Sequence, residues 1–211
     1  MSKTKIELNA IKIALLGDNA VGKSSICNSI LNIEFREDLL STIGIERMQT
    51  SFTLKNGKEI KLILFDTAGQ ERFRSSLLKG LKSIHGIILV FEVTQKITAE
   101  NFNIWMEEIK KIFNNPPLVL FGNKVDKDEI IWKGNSEELK TFAEKMNIPY
   151  FETSAKTGQG INEGLSLLVN EVYEKYNEKY VEENKNSSIN IEEKDLEDKT
   201  KCTGKGTNKK K

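Results

Sequence analysis

The sequence predicts a three-layer α/β domain with a six-stranded, mostly parallel sheet and one antiparallel edge strand. Three observations lead to this fold class. Short apolar runs alternate along the chain with longer helical patterns, Asn56-Gly57 indicates a two-residue hairpin turn, and Gly86–Val93 is almost entirely apolar. An apolar strand of that kind is typical of a parallel sheet whose two faces are both covered by helices.

Apolar runs and turn signals predict the strands in chain order. The first follows a charged amino-terminal segment, the next two flank the hairpin turn, and the later ones each precede a helical pattern. The predicted strands are Ile11–Leu16, Met48–Leu54, Lys58–Phe65, Gly86–Val93, Leu118–Gly122 and Tyr150–Glu152.

Helices are predicted where apolar residues recur at helical spacing. Thr98 is a suitable amino-terminal cap, and the apolar face behind it comprises Phe102, Trp105, Ile109 and Ile112. Ser136 is the expected start of the following helix, so Trp132 falls in a predicted loop. The predicted helices are Lys23–Leu31, Ala99–Phe113, Ser136–Met146 and a last one from Ile161 to about Tyr180.

Composition and charge limit the class of protein. The chain has 211 residues, of which 38% are apolar and 30% charged, and a net charge of +1. We expect one folded domain over 1–181 and a disordered tail over 182–211. The tail is acidic from Glu182 to Asp198 and carries six lysines from Lys199 to Lys211. Because the folded part is neutral, nucleic acid is not an expected partner.

The cysteines and the apolar runs indicate a cytoplasmic protein. The two cysteines, Cys27 and Cys202, form neither a disulfide framework nor a zinc site, and Cys27 is an expected core residue. No apolar run approaches the roughly 18 residues of a membrane span. His85, the single histidine, precedes a strand and is not expected in catalysis.

The segment GDNAVGKS, Gly17–Ser24, matches a phosphate-binding pattern between a predicted strand and a predicted helix. Its glycines let backbone N–H groups turn towards phosphate oxygens, and the helix start adds partial positive charge. We expect Lys23 to reach the β- and γ-phosphates and Ser24 to join a Mg²⁺ shell. The expected nucleotide-binding residues here are Asn19, Ala20, Val21, Gly22, Lys23, Ser24 and Ser25.

The segment NKVD, Asn123–Asp126, favours guanine over adenine. The Asp126 carboxylate can accept both N–H groups of the guanine edge, a pair of donors that adenine lacks. Asn123 can tie this loop to the phosphate loop, and the Lys124 stem can lie along the base. Downstream, ETSAKTG supplies Ser154, Ala155 and Lys156, with backbone near Ala155 donating to the base carbonyl and Lys156 packing on the base.

The segment DTAGQERF follows the predicted strand that ends at Phe65. Asp66 can hold Mg²⁺ through water, and the Gly69 N–H can meet a γ-phosphate that no side chain obstructs. Gln70 stands where it can orient an attacking water. The expected catalytic residues are therefore Lys23, Gly69 and Gln70.

Together these motifs resemble the small GTPases of the Ras superfamily, over roughly Lys5 to Tyr180, and within it the Rab family of vesicle-traffic switches. The segments STIGIE, KLILFDTAGQERFRS, HGIILVFEVT, GNKVD and ETSAKTGQGINE carry the resemblance. It implies a P-loop small-GTPase domain that binds GTP or GDP with Mg²⁺ and hydrolyses GTP slowly. It also implies that Thr42 joins Ser24 and Asp66 at the metal, and that Phe35 stacks near the guanine ring. The implied partners are an exchange factor, an activating protein and effectors.

The chain departs from the Rab pattern in two regions. The three aromatic positions of the usual effector surface correspond to Arg47, Phe65 and Gly80, so effectors of the usual kind are expected to bind weakly. Rab proteins normally end in lipid-modified cysteines, whereas Cys202 stands ten residues from the last residue, counting itself. Three alternatives remain. The chain is incomplete, the protein is unlipidated, or Lys199–Lys211 binds the cytosolic face of endomembranes reversibly, with acylation of Cys202.

Three other functions compete with a traffic switch. Two of them are a GTP-binding interaction module with little hydrolysis and an unlipidated relative that signals in the cytosol. Gln70, Thr42, Lys23 and Ser24 argue against weak hydrolysis. The third is a phosphate-loop kinase, which NKVD opposes and which would need a lid and an acceptor pocket that the sequence does not show.

Overall fold

The computed structural model describes residues 8–69, 74–81 and 83–177. Gln70, Cys202 and the tail 182–211 lie outside them, so the expected domain boundary stays a prediction. Residues Asn9–Tyr173 form one compact unit.

The described residues form a six-stranded sheet with five helices. The strands are β1 Ala10–Leu16, β2 Ile45–Thr53, β3 Glu59–Thr67, β4 Gly86–Glu92, β5 Leu118–Asn123 and β6 Tyr150–Thr153. The helices are α1 Lys23–Ile30, α2 Arg74–Gly80, α3 Ala99–Ile112, α4 Glu129–Lys145 and α5, described over 161–177. None of these helices is both long enough and apolar enough to cross a bilayer.

The sheet has the order β2-β3-β1-β4-β5-β6, with β2 antiparallel to β3 and all other neighbours parallel. The predicted fold class is therefore confirmed. All six predicted strands form, and β2 begins three residues earlier than expected because Ile45 pairs with Thr67 across the hairpin. Since the parallel strands share a direction, the loops after β1, β3, β5 and β6 meet at one edge of the sheet.

Helices cover both faces of the sheet. On one face, α3 buries Phe102, Trp105 and Ile109 together with Met106, while Ile112 is only half-buried. On the other face, Gly86 of β4 allows Leu168 and Val172 of α5 to approach closely. Thr98 caps α3 as predicted, because its hydroxyl accepts the Asn101 N–H at 3.2 Å.

Helix α4 begins seven residues before its predicted start, so the loop predicted around Trp132 was wrong. Asp128 is the actual cap and accepts the Ile130 N–H at 3.0 Å. Gly134 and Asn135 have low helix propensity, which made this segment look like a loop. Tertiary hydrogen bonds outweigh that preference, since the Asn135 amide donates to Val93 O at 2.8 Å.

Cys27 and His85 have structural roles. Cys27 is fully buried, as expected of a core residue. His85 accepts the Lys12 backbone N–H at Nδ1, and burial followed by the charge of Lys12 lowers the pKa of His85 to about 4. His85 is therefore neutral near pH 7 and holds the start of β4 beside β1.

Candidate functional site

A cavity of about 420 Å³ opens at the edge where the loops after β1, β3, β5 and β6 meet. Most of the predicted site residues line it. They are Asn19, Ala20, Gly22, Lys23, Ser24, Ser25, Phe35, Thr42, Gly69, Asn123, Lys124, Asp126, Ala155 and Lys156. Val21, Asp66 and Ser154 are buried behind the lining and contact residues that form it.

The loop between β1 and α1 is shaped for close backbone approach. Gly22 caps α1 with a φ of 100°, in the left-handed region that disfavours side chains. A Cβ on Gly22 would also lie 2.3 Å from the Asn123 amide nitrogen. Glycine is required at this position for both reasons.

Lys23 arches over this loop. Its ammonium donates to the carbonyl oxygens of Gly17 at 3.0 Å and Asp18 at 2.7 Å. Burial lowers the pKa of Lys23 to about 8, although the nearby carboxylates of Asp66 and Asp18 oppose that shift. The arrangement holds a cation beside the turn.

Three oxygen-bearing side chains converge on one side of the cavity. Asp66 Oδ2 accepts from the Ser24 hydroxyl at 2.6 Å and from the Thr42 hydroxyl at 3.0 Å, and the two hydroxyls are 2.9 Å apart. Asp66 is fully buried, and its Oδ1 has no hydrogen-bond partner among the described residues. A buried carboxylate oxygen of this kind is costly unless a cation or a donor completes it.

Gly69 lies directly against the phosphate-binding loop. A Cβ at Gly69 would be 2.4 Å from Asp18 O and 2.5 Å from the Asn19 nitrogen and Cα. These atoms belong to the backbone and cannot turn aside, so no larger residue fits without separating the two segments. The backbone after β3 is thus held next to the turn after β1.

Asn123 joins three loops. Its amide donates to Val21 O at 2.9 Å, and its carbonyl oxygen accepts from the Ala155 N–H at 3.1 Å and from the Thr153 hydroxyl at 3.4 Å. The side chain is buried. Backbone near Ala155 was expected to donate to a base carbonyl, and the N–H of Ala155 itself is engaged by Asn123.

A hydrogen bond joins the loops after β5 and β6, and an ion pair joins the loop after β5 to β4. The Ser154 hydroxyl donates to Asp126 Oδ1 at 2.6 Å and fixes the orientation of that carboxylate. The Lys124 ammonium forms an ion pair with Glu92 at 2.6 Å. Asp126 lines the cavity, where two N–H groups of a ligand can reach the carboxylate.

Phe35 and Lys156 meet at the rim of the cavity. The Lys156 nitrogen is 6.0 Å from the centroid of the Phe35 ring and 3.5 Å from a Glu37 oxygen. Because both charged groups are largely exposed, this ion pair contributes little stability by itself.

Several residues that line the cavity were not predicted from the sequence. The segment between Phe35 and Thr42 was not recognised as cavity wall, and Thr67 and Lys127 also line the cavity. The missed residues of the segment are Arg36, Glu37, Leu39, Leu40 and Ser41. Trp105, expected only as core, also donates from Nε1 to Asp18 Oδ1 at 3.0 Å. No local pattern signals that bond, because its partners are 87 residues apart.

The three positions that depart from the Rab pattern lie together. Arg47 is the cross-strand partner of Phe65, and a Cβ on Gly80 would lie 3.4 Å from the side chain of Ile45. Arg47, Gly80 and Ile45 are exposed, and Phe65 is half-buried.

Comparisons with known proteins agree with this geometry. The model of the Ras family matches residues 12–174. The Ras-related protein Rab-1A of Dictyostelium discoideum is 37% identical over 164 residues, which cover 76% of this chain and 79% of that protein. The GTP-binding protein ypt1 of Schizosaccharomyces pombe is 34% identical over 85% of this chain and 89% of its own. The Ras-related protein SEC4 of Candida albicans is 35% identical over 82% and 80%.

The family match extends from within β1 into α5 and includes the whole cavity, and the similar proteins align over most of their own lengths. The chain belongs to the Ras family and is a Rab-type small GTPase, a GTP-binding and GTP-hydrolysing switch of vesicle traffic.

Proposed function

We propose that the cavity binds GTP or GDP with the phosphates on the loop Gly17–Ser24 and the base beside Asp126. The observation that carries the proposal is the way Asn123 ties the phosphate loop to both candidate base loops. One rigid unit then fixes the distance between the phosphate and base subsites. The cavity volume of about 420 Å³ falls within the range of small-molecule sites.

Guanine recognition rests on Asp126 in this proposal. The carboxylate accepts N1–H and the exocyclic amine of guanine, and Ser154 holds it in that orientation. Adenine lacks this pair of donors and would forfeit both hydrogen bonds to a charged acceptor, at a cost of about 1.5–3 kcal/mol each. The Lys124 stem and Phe35 flank the base, while Ala155 and Lys156 close the subsite.

The convergence of Ser24, Thr42 and Asp66 fits a Mg²⁺ ion. Magnesium prefers oxygen ligands and commonly uses one or two carboxylates together with substrate phosphates. No cluster of three or more His, Cys, Asp or Glu among the described residues could hold a metal alone, so phosphate oxygens would complete the shell. The ion would supply charge neutralisation at the β- and γ-phosphates. The unpartnered Asp66 Oδ1 supports its presence nearby.

The proposed catalytic groups act on a water and the γ-phosphate. Lys23 stabilises the developing negative charge, the Gly69 N–H contacts a γ-phosphate oxygen, and Gln70 orients the attacking water. The γ-phosphate also draws in Thr42 and Gly69, and loss of that phosphate releases both segments. Their contacts with Asp66 and with the phosphate loop support this two-state switch.

The partners follow from the same proposal. The protein works with regulators and effectors, as its family does. We propose that an activating protein supplies an arginine to a slow intrinsic reaction and that an exchange factor opens the cavity. The effector surface comprises Ile45, Arg47, Phe65 and Gly80. Two of its usual aromatic positions are occupied by the cation of Arg47 and by Gly80, which has no side chain. Its effector therefore carries a carboxylate that meets Arg47, and effectors that need an aromatic surface bind weakly.

A comparison of effector capture tests that point. The GTP-loaded protein should capture effectors of the usual Rab type poorly, and Arg47→Tyr should improve capture. Capture at ordinary strength by the unchanged protein would contradict the role given to Arg47.

Membrane attachment is proposed from the tail sequence alone. The protein is cytoplasmic and binds the cytosolic face of endomembranes reversibly through Lys199–Lys211. Each lysine near an anionic surface contributes about 1 kcal/mol. Sedimentation with phosphatidylserine vesicles, beside localisation of Cys202→Ser in cells, separates charge from acylation, because charge binding is lost at high salt.

Single-turnover GTP hydrolysis tests the catalytic proposal. The protein should release phosphate at about 10⁻⁴–10⁻³ s⁻¹ with Mg²⁺ and more slowly without it. Gln70→Leu should hydrolyse more slowly still while binding GTP normally. Equal rates in the two proteins would remove Gln70 from the mechanism, and undetectable release by both would favour a binding module.

A further inference from the structure

Glu92 occupies an unusual position beside the base subsite. It is the last residue of β4, does not line the cavity, and its side chain is only 11% exposed. A nearly buried carboxylate requires strong partners, because desolvation of its charge is costly. Glu92 has three of them, and one reaches into the cavity.

Both carboxylate oxygens of Glu92 are engaged. Oε1 accepts from the Thr94 hydroxyl. Oε2 accepts from the Lys124 ammonium at 2.6 Å and from the Gln95 amide at 3.2 Å. Charge-assisted bonds of this kind are the strong ones, and two further donors confine the carboxylate to one orientation.

The sheet register brings Glu92 to Lys124. Glu92 is the Cα partner of Asn123 across β4 and β5, and the Val93 N–H donates to Asn123 O at 3.0 Å. Lys124 follows with a φ of +76°, in the left-handed region that is unfavourable for a lysine. An unfavourable backbone persists only where surrounding contacts hold it, and the Glu92–Lys124 pair is such a contact.

We propose that Glu92 is a positioning residue for the nucleotide. It anchors the Lys124 ammonium on the sheet, so that the methylene stem of Lys124 forms one wall of the base subsite and slows nucleotide release. Without the anchor, the lysine regains rotamer freedom and its ammonium turns towards water, which removes the wall. The inference rests on the proposed function in one respect, that Lys124 flanks the base.

GDP dissociation measures this effect directly. Fluorescent GDP is displaced by excess GDP from Glu92→Ala, Glu92→Gln, Lys124→Met and the double variant Glu92→Ala/Lys124→Met. We expect about tenfold faster release from Glu92→Ala and Lys124→Met, because loss of the anchor loosens the base subsite without altering the approach of GDP to the cavity. Glu92→Gln keeps an acceptor but loses the charge and should fall between. In the Lys124→Met protein, Glu92→Ala should add less than about twofold.

The control is Glu108→Ala, which removes an exposed ion pair with Lys111 on α3 and should leave GDP release unchanged. Equal acceleration by Glu92→Ala in both backgrounds would show a general loosening and overturn the inference. Unchanged release from Glu92→Ala beside fast release from Lys124→Met would also overturn it, while leaving the proposed base subsite intact. Unchanged release from Lys124→Met, whose side chain keeps an apolar stem but loses the ammonium, would show that the anchor does not hold the wall and would overturn the inference.

Discussion

Replacement of Asn123 by alanine should separate the phosphate loop from the base loops. The Asn123 amide is buried, and its three hydrogen bonds join Val21, Ala155 and Thr153. Asn123→Ala removes these bonds without introducing bulk.

The size of the effect follows from those bonds. The bonds to Val21 at 2.9 Å and Ala155 at 3.1 Å are well formed, while the bond from Thr153 at 3.4 Å is weak. Each good bond contributes about 0.5–1.5 kcal/mol, and a buried group left without a partner costs more. We expect a loss of about 2–3 kcal/mol in nucleotide binding. That loss corresponds to roughly 30- to 150-fold weaker binding of GDP.

Stopped-flow measurement of GDP association and dissociation tests this value. Most of the change should appear in dissociation, because the encounter with the open cavity is little altered. Asn170→Ala is the matched control. Asn170 is also buried and joins two segments, since it accepts from Lys55 N at 2.9 Å and donates to Ser166 O at 2.7 Å. It does not line the cavity.

Equal weakening of GDP binding by Asn170→Ala and Asn123→Ala would refute this role of Asn123, because it would mean that any loss of fold stability loosens the cavity. A change in GDP dissociation of less than about threefold in Asn123→Ala would also refute it, because the loops would then be held together by other contacts.

Three further outcomes are expected. Burial lowers the pKa of Lys23 to about 8, whereas a neighbouring phosphate raises it. GDP binding should therefore take up a proton above pH 8, and the affinity for GDP should fall by up to about tenfold per pH unit. Calorimetry in two buffers measures the proton uptake, and an affinity that does not change with pH would contradict this expectation. Gly69→Ala should leave GDP affinity nearly unchanged but slow GTP hydrolysis in a single-turnover assay, since the added methyl group collides with Asp18 O; normal hydrolysis would show that the segment tolerates the displacement. Ser154→Ala should weaken GDP binding about three- to tenfold by freeing Asp126, and equal losses for GDP and ADP in a competition assay would argue against a guanine-specific role.

Local patterns were sufficient for most of the fold. Strand β4 is apolar on both faces because it lies inside a parallel sheet. The turn that contains Asn56-Gly57 joins β2 to β3 as expected, but the connection is longer than the predicted two residues, because β2 ends at Thr53 and β3 begins at Glu59. The error at α4 has the opposite cause. Gly134 and Asn135 disfavour a helix locally, and the contacts that impose one come from other parts of the chain. Helix α2 was not predicted at all, since its seven residues carry no cap or apolar period strong enough to notice.

The sequence by itself determined the chemistry of this protein, because its recognition motifs are contiguous. Gly22, Lys23 and Ser24 shape a phosphate turn through backbone geometry within a few residues, and Asp126 presents two acceptors wherever its loop stands. Only the tertiary structure decided which side chains hold these groups in position. Glu92 meets Lys124 from 32 residues away, and Trp105 meets Asp18 from 87. Such pairs depend on the register of neighbouring strands and on how helices pack over them, and no local pattern encodes either.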